Sequence, residues 1–159
     1  MKEIFTILFL FFAAFAFSQQ DTNSTPAFLL TAANIAAQAA QLDPNESYAN
    51  ITMLERTDPA TPTGLAYRLA VDRRTPPQQA AQHASEAEIW AIVEGNGAIT
   101  TDGRIVDIIE DGETVGRRIE GGTVHTVSKG DFLVIPEGVP HQVTEFSPSL
   151  LMVTFEFPR

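Results

Sequence analysis

Residues 130–141, GDFLVIPEGVPH, constrain the fold of this 159-residue chain more than any other stretch. Gly130 supplies a φ that other residues resist, so it can turn the chain into a strand. Phe132, Leu133, Val134 and Ile135 form a short apolar run between turn residues, the pattern of a strand buried on both sides. Pro136 and Gly138 then close a tight turn, because proline presets φ and glycine tolerates a positive one. His141 follows at the start of the next strand, close to the turn that aims it. A histidine so placed suits metal ligation or acid/base work.

The rest of the chain alternates short strands with turns. Residues 48–55 and 65–71 read as early strands around a Pro/Thr/Gly-rich loop, with Asp72-Arg73-Arg74 as a charged exit from the second. Residues 88–93 read as a strand ending in a hairpin turn, Glu94-Gly95-Asn96-Gly97. Further strands are expected at 98–101, 104–109, 117–120, 123–127, 132–135, 141–145 and 150–157. One helix is expected, over 31–42. Thr31 can cap it, and Ile35, Ala39 and Leu42 share one stripe. Asp43-Pro44-Asn45 ends it, and its expected role is to cover one end of a barrel. Many short strands with frequent turns indicate an all-β sandwich or small barrel. The last strand is apolar on both faces, with Leu151, Val153, Phe155 and Phe157 on one and Leu150 and Met152 on the other. Either the helix or a homodimer interface would bury the outer face.

The spacing within 130–141 is Gly, five residues, Pro, one residue, Gly, two residues, His. It resembles the second motif of the cupin family at every position. The first cupin motif has its counterpart in HASEAEIWAIVEG, as His83, four residues, Glu88, six residues, Gly95. Cupins usually carry a further histidine two residues before that one, where this chain has Ala81. The resemblance runs from about residue 28 to 157 and is to small exported bacterial cupins of one barrel each. It takes in TAANIAA, AEIWAIVEGNGAITTDG and IEGGTVHTVSKGDFLVIPEGVPHQ. In that group the first motif often has a single histidine before the acid. The resemblance implies a double-stranded β-helix, the cupin jelly-roll barrel, over residues 28–159. It would open with the short N-terminal helix, and the site would lie inside the barrel. Fold sets the place of such a site and not its chemistry.

Within strand 88–93 side chains alternate, so an inward Glu88 brings Trp90 and Ile92 inward with it. His83 has the opposite parity. It can join them only if Ala84-Ser85-Glu86-Ala87 turns or bulges. His141, Val143 and Glu145 share the face that the second motif aims inward. The resemblance therefore implies a cavity holding His83, Glu88 and His141 as metal ligands, with Trp90, Ile92 and Val143 as pocket wall. Two imidazoles, one carboxylate and open positions suit Fe(II), and could accept Mn, Ni, Co or Zn. Glu86 shares the parity of Glu88 and invites a paired-carboxylate reading. Gln79 and Gln82 flank Ala81, but an amide oxygen is a weak ligand for such metals. His125 is expected to be exposed.

Residues 1–18 read as a secretory signal, with Lys2, an apolar run over 4–17 and small residues at Ala16 and Ser18. The run is shorter than the roughly 20 residues a membrane-spanning helix needs, so no stable membrane anchor is expected. Residues 19–27 read as a flexible tail. The address is then secreted or periplasmic. There are no cysteines, so stability must come from a core rather than from disulfides. A net charge of −10 argues against nucleic acid as a partner. The first functional reading is a metal-dependent oxygenase, isomerase or lyase acting on a small organic molecule. The alternatives are a non-catalytic small-molecule-binding cupin, with Ala81 marking a lost ligand, and a structural cupin with a filled cavity.

Overall fold

A computed structural model describes residues 27–62 and 64–158. The signal reading and all but the last residue of the tail lie outside the described residues. Among the described residues eight strands follow one helix: α1 (Ala32–Ala39), β1 (Tyr48–Thr57), β2 (Leu65–Arg74), β3 (Glu86–Thr101), β4 (Arg104–Glu110), β5 (Glu113–Glu120), β6 (Thr123–Ser128), β7 (Phe132–Ile135) and β8 (His141–Pro158). All strand pairing is antiparallel, in the order β1-β2-β8-β3-β6, with β7 also on β3 and with β4-β5 as a separate ribbon.

The roll closes because β3 and β8 are long and bent. The first half of β3 pairs with β7 and its second half with β6, while β8 follows it along its whole length. The hairpin turn expected at residues 94–97 is therefore absent. Gly95 and Gly97 serve close approach instead: a Cβ at either would lie 2.0 Å from the Ser149 carbonyl oxygen or 2.1 Å from that of Glu145. Register shifts between Ile92 and Asn96 absorb the bend. The two late strands expected at 141–145 and 150–157 are likewise one continuous β8.

Two apolar clusters lie on opposite faces of the β2-β8-β3 sheet. Inside the roll are Trp90, Ile92, Ile99, Val127, Ile135, Val143, Leu150 and Met152. On the outer face Leu69, Val71, Leu151 and Val153 pack with Ala39 and Leu42, and Ile35 lies against them. So α1 covers the outside of the sheet rather than one end of the barrel, and it buries the outer face of β8 at Leu151 and Val153. It is shorter than the expected 31–42. Thr31 Oγ1 accepts from the Asn34 amide at 3.1 Å, and Asn34 Oδ1 accepts from the Thr31 amide at 3.2 Å. Its other end is held from the sheet, where Arg73 donates to the carbonyls of Ala39 at 2.6 Å and Leu42 at 2.9 Å.

Two further expectations change. β2 does not stop at Val71: it runs to Arg74, and Asp72 within it is buried. The strand at Phe132–Ile135 is not buried on both sides. It pairs only with β3, and Phe132 and Val134 on its outer face are 72% and 62% exposed.

Candidate functional site

Main-chain pairing brings the two histidine segments together. Ala81 and His141 exchange both backbone hydrogen bonds at 2.9 Å. The Gly138 amide donates to the His83 carbonyl at 2.7 Å, and Gln82 Nε2 donates to the Gly138 carbonyl at 2.7 Å. Gln82 is thus spent on the turn, and Gln79 is spent accepting from the Arg117 amide at 2.6 Å. Gly138 takes the positive φ, 75°, that the turn into His141 requires. Ala84 and Ser85 form the turn that lets His83 and Glu88 face the same way despite their opposite parity.

His83, Glu88 and His141 each offer a ligand atom, all within 4.8 Å of one another. His83 Nε2 lies 3.1 Å and His141 Nε2 4.0 Å from Glu88 Oε1. The second carboxylate oxygen accepts from Trp90 Nε1. His141 Nδ1 lies 3.1 Å from the Val139 carbonyl. As a donor there it fixes the tautomer and leaves the Nε2 lone pair facing Glu88. The imidazole of His141 stands edge-on to Trp90, with centroids 5.3 Å apart. Its side chain and that of Glu88 are only 5% and 8% exposed, whereas His83, at 41%, stands toward the opening.

Electrostatics follow from this burial. Burial lowers the His141 imidazole, with Glu88 opposing, so it is poised neutral. Burial would raise the Glu88 carboxyl, but the hydrogen bond from His83, the neighbouring imidazoles and the Trp90 donor together hold it low. His83 is raised, chiefly by its hydrogen bond to Glu88.

The cluster opens onto a cavity of about 450 Å³. Trp90 and Val143 line it, as does Ala81, which brings no donor to the position where cupins usually carry a further histidine. Ile92 lies deeper, in the core cluster. Glu86 lines the cavity beside Glu88, with Oε2 4.0 Å from His83 Nδ1. Glu145 is exposed instead of inward, because a register shift at Thr144 reverses its parity after Val143. His125 is half-buried rather than exposed. It bonds Thr101 Oγ1 at 2.9 Å and is not one of the three clustered ligand residues.

Sequence reasoning missed the polar wall that β2 contributes. Arg68 and Arg74 line the cavity, with Tyr48 from β1 and Glu156 from β8. The signal was the alternation of Arg68, Asp72 and Arg74 with Leu69, Val71 and Arg73, legible only if the strand is carried through the charged residues.

No protein-family model matches the sequence, and no curated protein does. Solved structures match. HppE, solved with Fe(II), superposes with a TM-score of 0.51 at 17% identity, over 70% of this chain and 52% of that one. HppE is a cupin-fold protein. This chain has the cupin fold. CapF, solved with the inhibitor 3-isopropenyl-tropolone, matches with a TM-score of 0.50 at 13% identity, over 74% of this chain and 30% of that one. The cupin domain of Schizosaccharomyces pombe Cnp3 gives a TM-score of 0.49 at 6% identity, over 76% of this chain and 72% of that one. At the identity to HppE it is the cupin architecture alone that is shared. In this chain that architecture holds His83, Glu88 and His141 together on one cavity wall.

Proposed function

We propose that this cupin binds a divalent metal (Fe, Mn, Ni or Zn) and acts enzymatically on a small organic molecule, in a secreted or periplasmic setting. The observation that carries the reading is the convergence of His83, Glu88 and His141 on the wall of one cavity. The donor set fits the group: two imidazoles and a carboxylate are a common ligand set for these ions. The tautomer of His141 adds to the fit, because its Nδ1 is used on the Val139 carbonyl and its Nε2 is left for coordination.

When bound, a divalent ion supplies a Lewis acid with positions open to substrate. The chain's own residues prepare that place. His141 is buried and neutral, so its Nε2 offers a lone pair without first losing a proton. Glu88 is held as the carboxylate. Trp90 fixes the Glu88 rotamer through its indole N–H and walls off water on that side. Ala81 leaves space beside His141 that a ligand side chain would otherwise fill. Oxygenase, isomerase and lyase chemistry, in that order, fit such an open site.

Metal content tests the reading, on untagged protein, for wild type, Glu88→Ala and His141→Ala. One equivalent or nearly so in wild type, absent from both folded variants, supports it. A wild type that stays empty after reconstitution with each of the four metals sinks it. That outcome would leave the second reading, a non-catalytic binding module, which the alanine at position 81 favours.

A further inference from the structure

Three arginines lie on β2, and they are used differently. Arg73 faces α1 and holds its last carbonyls. Arg68 faces the cavity but is gripped by Glu156 through two parallel contacts, Nε to Oε2 at 2.9 Å and the terminal nitrogen to Oε1. Arg74 also lines the cavity, and its contacts are long. Its Nη1 lies 3.4 Å from Gln78 Oε1, and its Nη2 3.5 Å from Asp72 Oδ2. Its buried Nε–H has no partner. Such a guanidinium has the capacity for a second, better acceptor, and a buried donor left unmatched is costly.

Its position gives that capacity a direction. The guanidinium carbon sits 3.8 Å from the Tyr48 ring centroid and 5.4 Å from that of Trp90. Trp90 in turn stands 5.3 Å from the His141 ring. The cation is therefore about one aromatic ring away from the ligand cluster, on the same cavity. The carboxylates that share this wall are already engaged: Glu156 by Arg68, Glu88 by His83 and Trp90, and Glu86 lies near His83. Asp72 does not line the cavity, and one of its oxygens has no hydrogen bond.

We propose that Arg74 binds a carboxylate of the substrate, so that this cupin takes small organic acids whose reacting end lies at the His83–Glu88–His141 cluster. The planar fork of Arg74 matches two carboxylate oxygens. A cavity of about 450 Å³ accommodates such an acid. The reaction at the cluster rests on the metal reading above; the recognition of the acid by Arg74 does not.

The single tryptophan of the chain, Trp90, reports on this wall by its fluorescence. Benzoate and pyruvate are titrated into wild type, Arg74→Lys and Arg74→Gln, with benzamide as the neutral isostere. Metal content is measured on the same samples, and far-ultraviolet circular dichroism checks the fold. Wild type is expected to bind at least one acid saturably and benzamide at least tenfold more weakly. Both variants are expected to weaken the acid at least tenfold while their metal content stays at the wild-type level. Arg74→Lys keeps the charge and loses the fork, so it decides the matter should Arg74→Gln fail to fold. Equal binding of benzamide and benzoate, undiminished acid binding in Arg74→Lys, or no binding of either acid to wild type would overturn the proposal. Loss of metal in both Arg74 variants would overturn it too, by making Arg74 part of the metal site. A metal-free wild type that still binds acid through Arg74 would support this inference while removing the metalloenzyme reading.

Discussion

Replacing Asp72 by asparagine should remove a pH-dependent weakness built into β2. The Asp72 side chain is almost wholly buried. Its Oδ1 has no hydrogen bond, and its Oδ2 meets Arg74 only at 3.5 Å. Burial pushes its carboxyl from the ordinary 3.8 up to about 6, Arg74 opposes this, and Glu156 adds to it. The sign follows from linkage. An acid whose pKa rises on folding binds its proton more tightly in the native state. Its stabilising contribution is full below about 3.8 and is lost as the pH rises through about 6. A gap of about two pH units corresponds to about 3 kcal/mol, at about 1.4 kcal/mol per unit. An asparagine side chain there would be neutral throughout. The stability difference between Asp72→Asn and wild type should therefore move in the variant's favour by about 2 kcal/mol, most of that gap, between pH 4 and pH 7. Urea unfolding of the two metal-free proteins at several pH values in that window, followed by Trp90 fluorescence, measures it. His83 and His141 titrate in both proteins and cancel in the difference. A difference that stays flat across the window, or that turns toward wild type as the pH rises, would refute the reasoning.

Four other changes test the remaining supports. Trp90→Phe keeps the ring and removes the donor on Glu88; metal affinity by competition titration should fall about ten- to a hundredfold with the fold intact. Gly97→Ala would place a Cβ against the Glu145 carbonyl, and urea unfolding should show a loss of at least about 2 kcal/mol. Gly112→Ala, in open space at φ 86°, should lose only about 1 kcal/mol. Arg73→Ala frees the carbonyls of Ala39 and Leu42, at a cost of about 2 kcal/mol, and hydrogen exchange should rise in α1 before it rises in β3.

How far the sequence could be read depended on where local chemistry decided the structure. The turn at Pro136 and Gly138 sets its own conformation from two residues, so the place of His141 was legible. The capping box at Thr31 is equally local. The parity of Glu88, Trp90 and Ile92 followed from simple alternation. The glycines at 95 and 97 misled because a glycine pair reads the same whether the backbone turns or is closely approached by another strand. Only the partner, β8 at Glu145 and Ser149, tells the two apart. The outer face of β7 misled for a related reason. Four apolar residues in a row look doubly buried, but whether a second layer covers them depends on distant elements.

The larger miss, on β2, bears on function. Asp72-Arg73-Arg74 looks like a solvated end of a strand because three charges in a row rarely continue into a core. Here each charge answers a different neighbour. Asp72 is buried within the sheet, Arg73 turns outward to hold α1, and Arg74 turns inward to the cavity. One strand thus ties the helix to the roll on one face and arms the cavity on the other. A change at Asp72 or Arg73 would reach the site through Arg74. A substitution of Arg73 that loosened α1 would also relax the strand that aims Arg74, although Arg73 never faces the cavity. Acid binding in Arg73→Ala should therefore weaken less than in Arg74→Lys but more than in a variant of exposed Arg104, whose Glu120 partner lies on the separate β4-β5 ribbon. If Arg73→Ala and Arg104→Ala bind acid equally well, the strand does not couple helix and cavity, and Arg74 is aimed by Gln78 and Tyr48 alone.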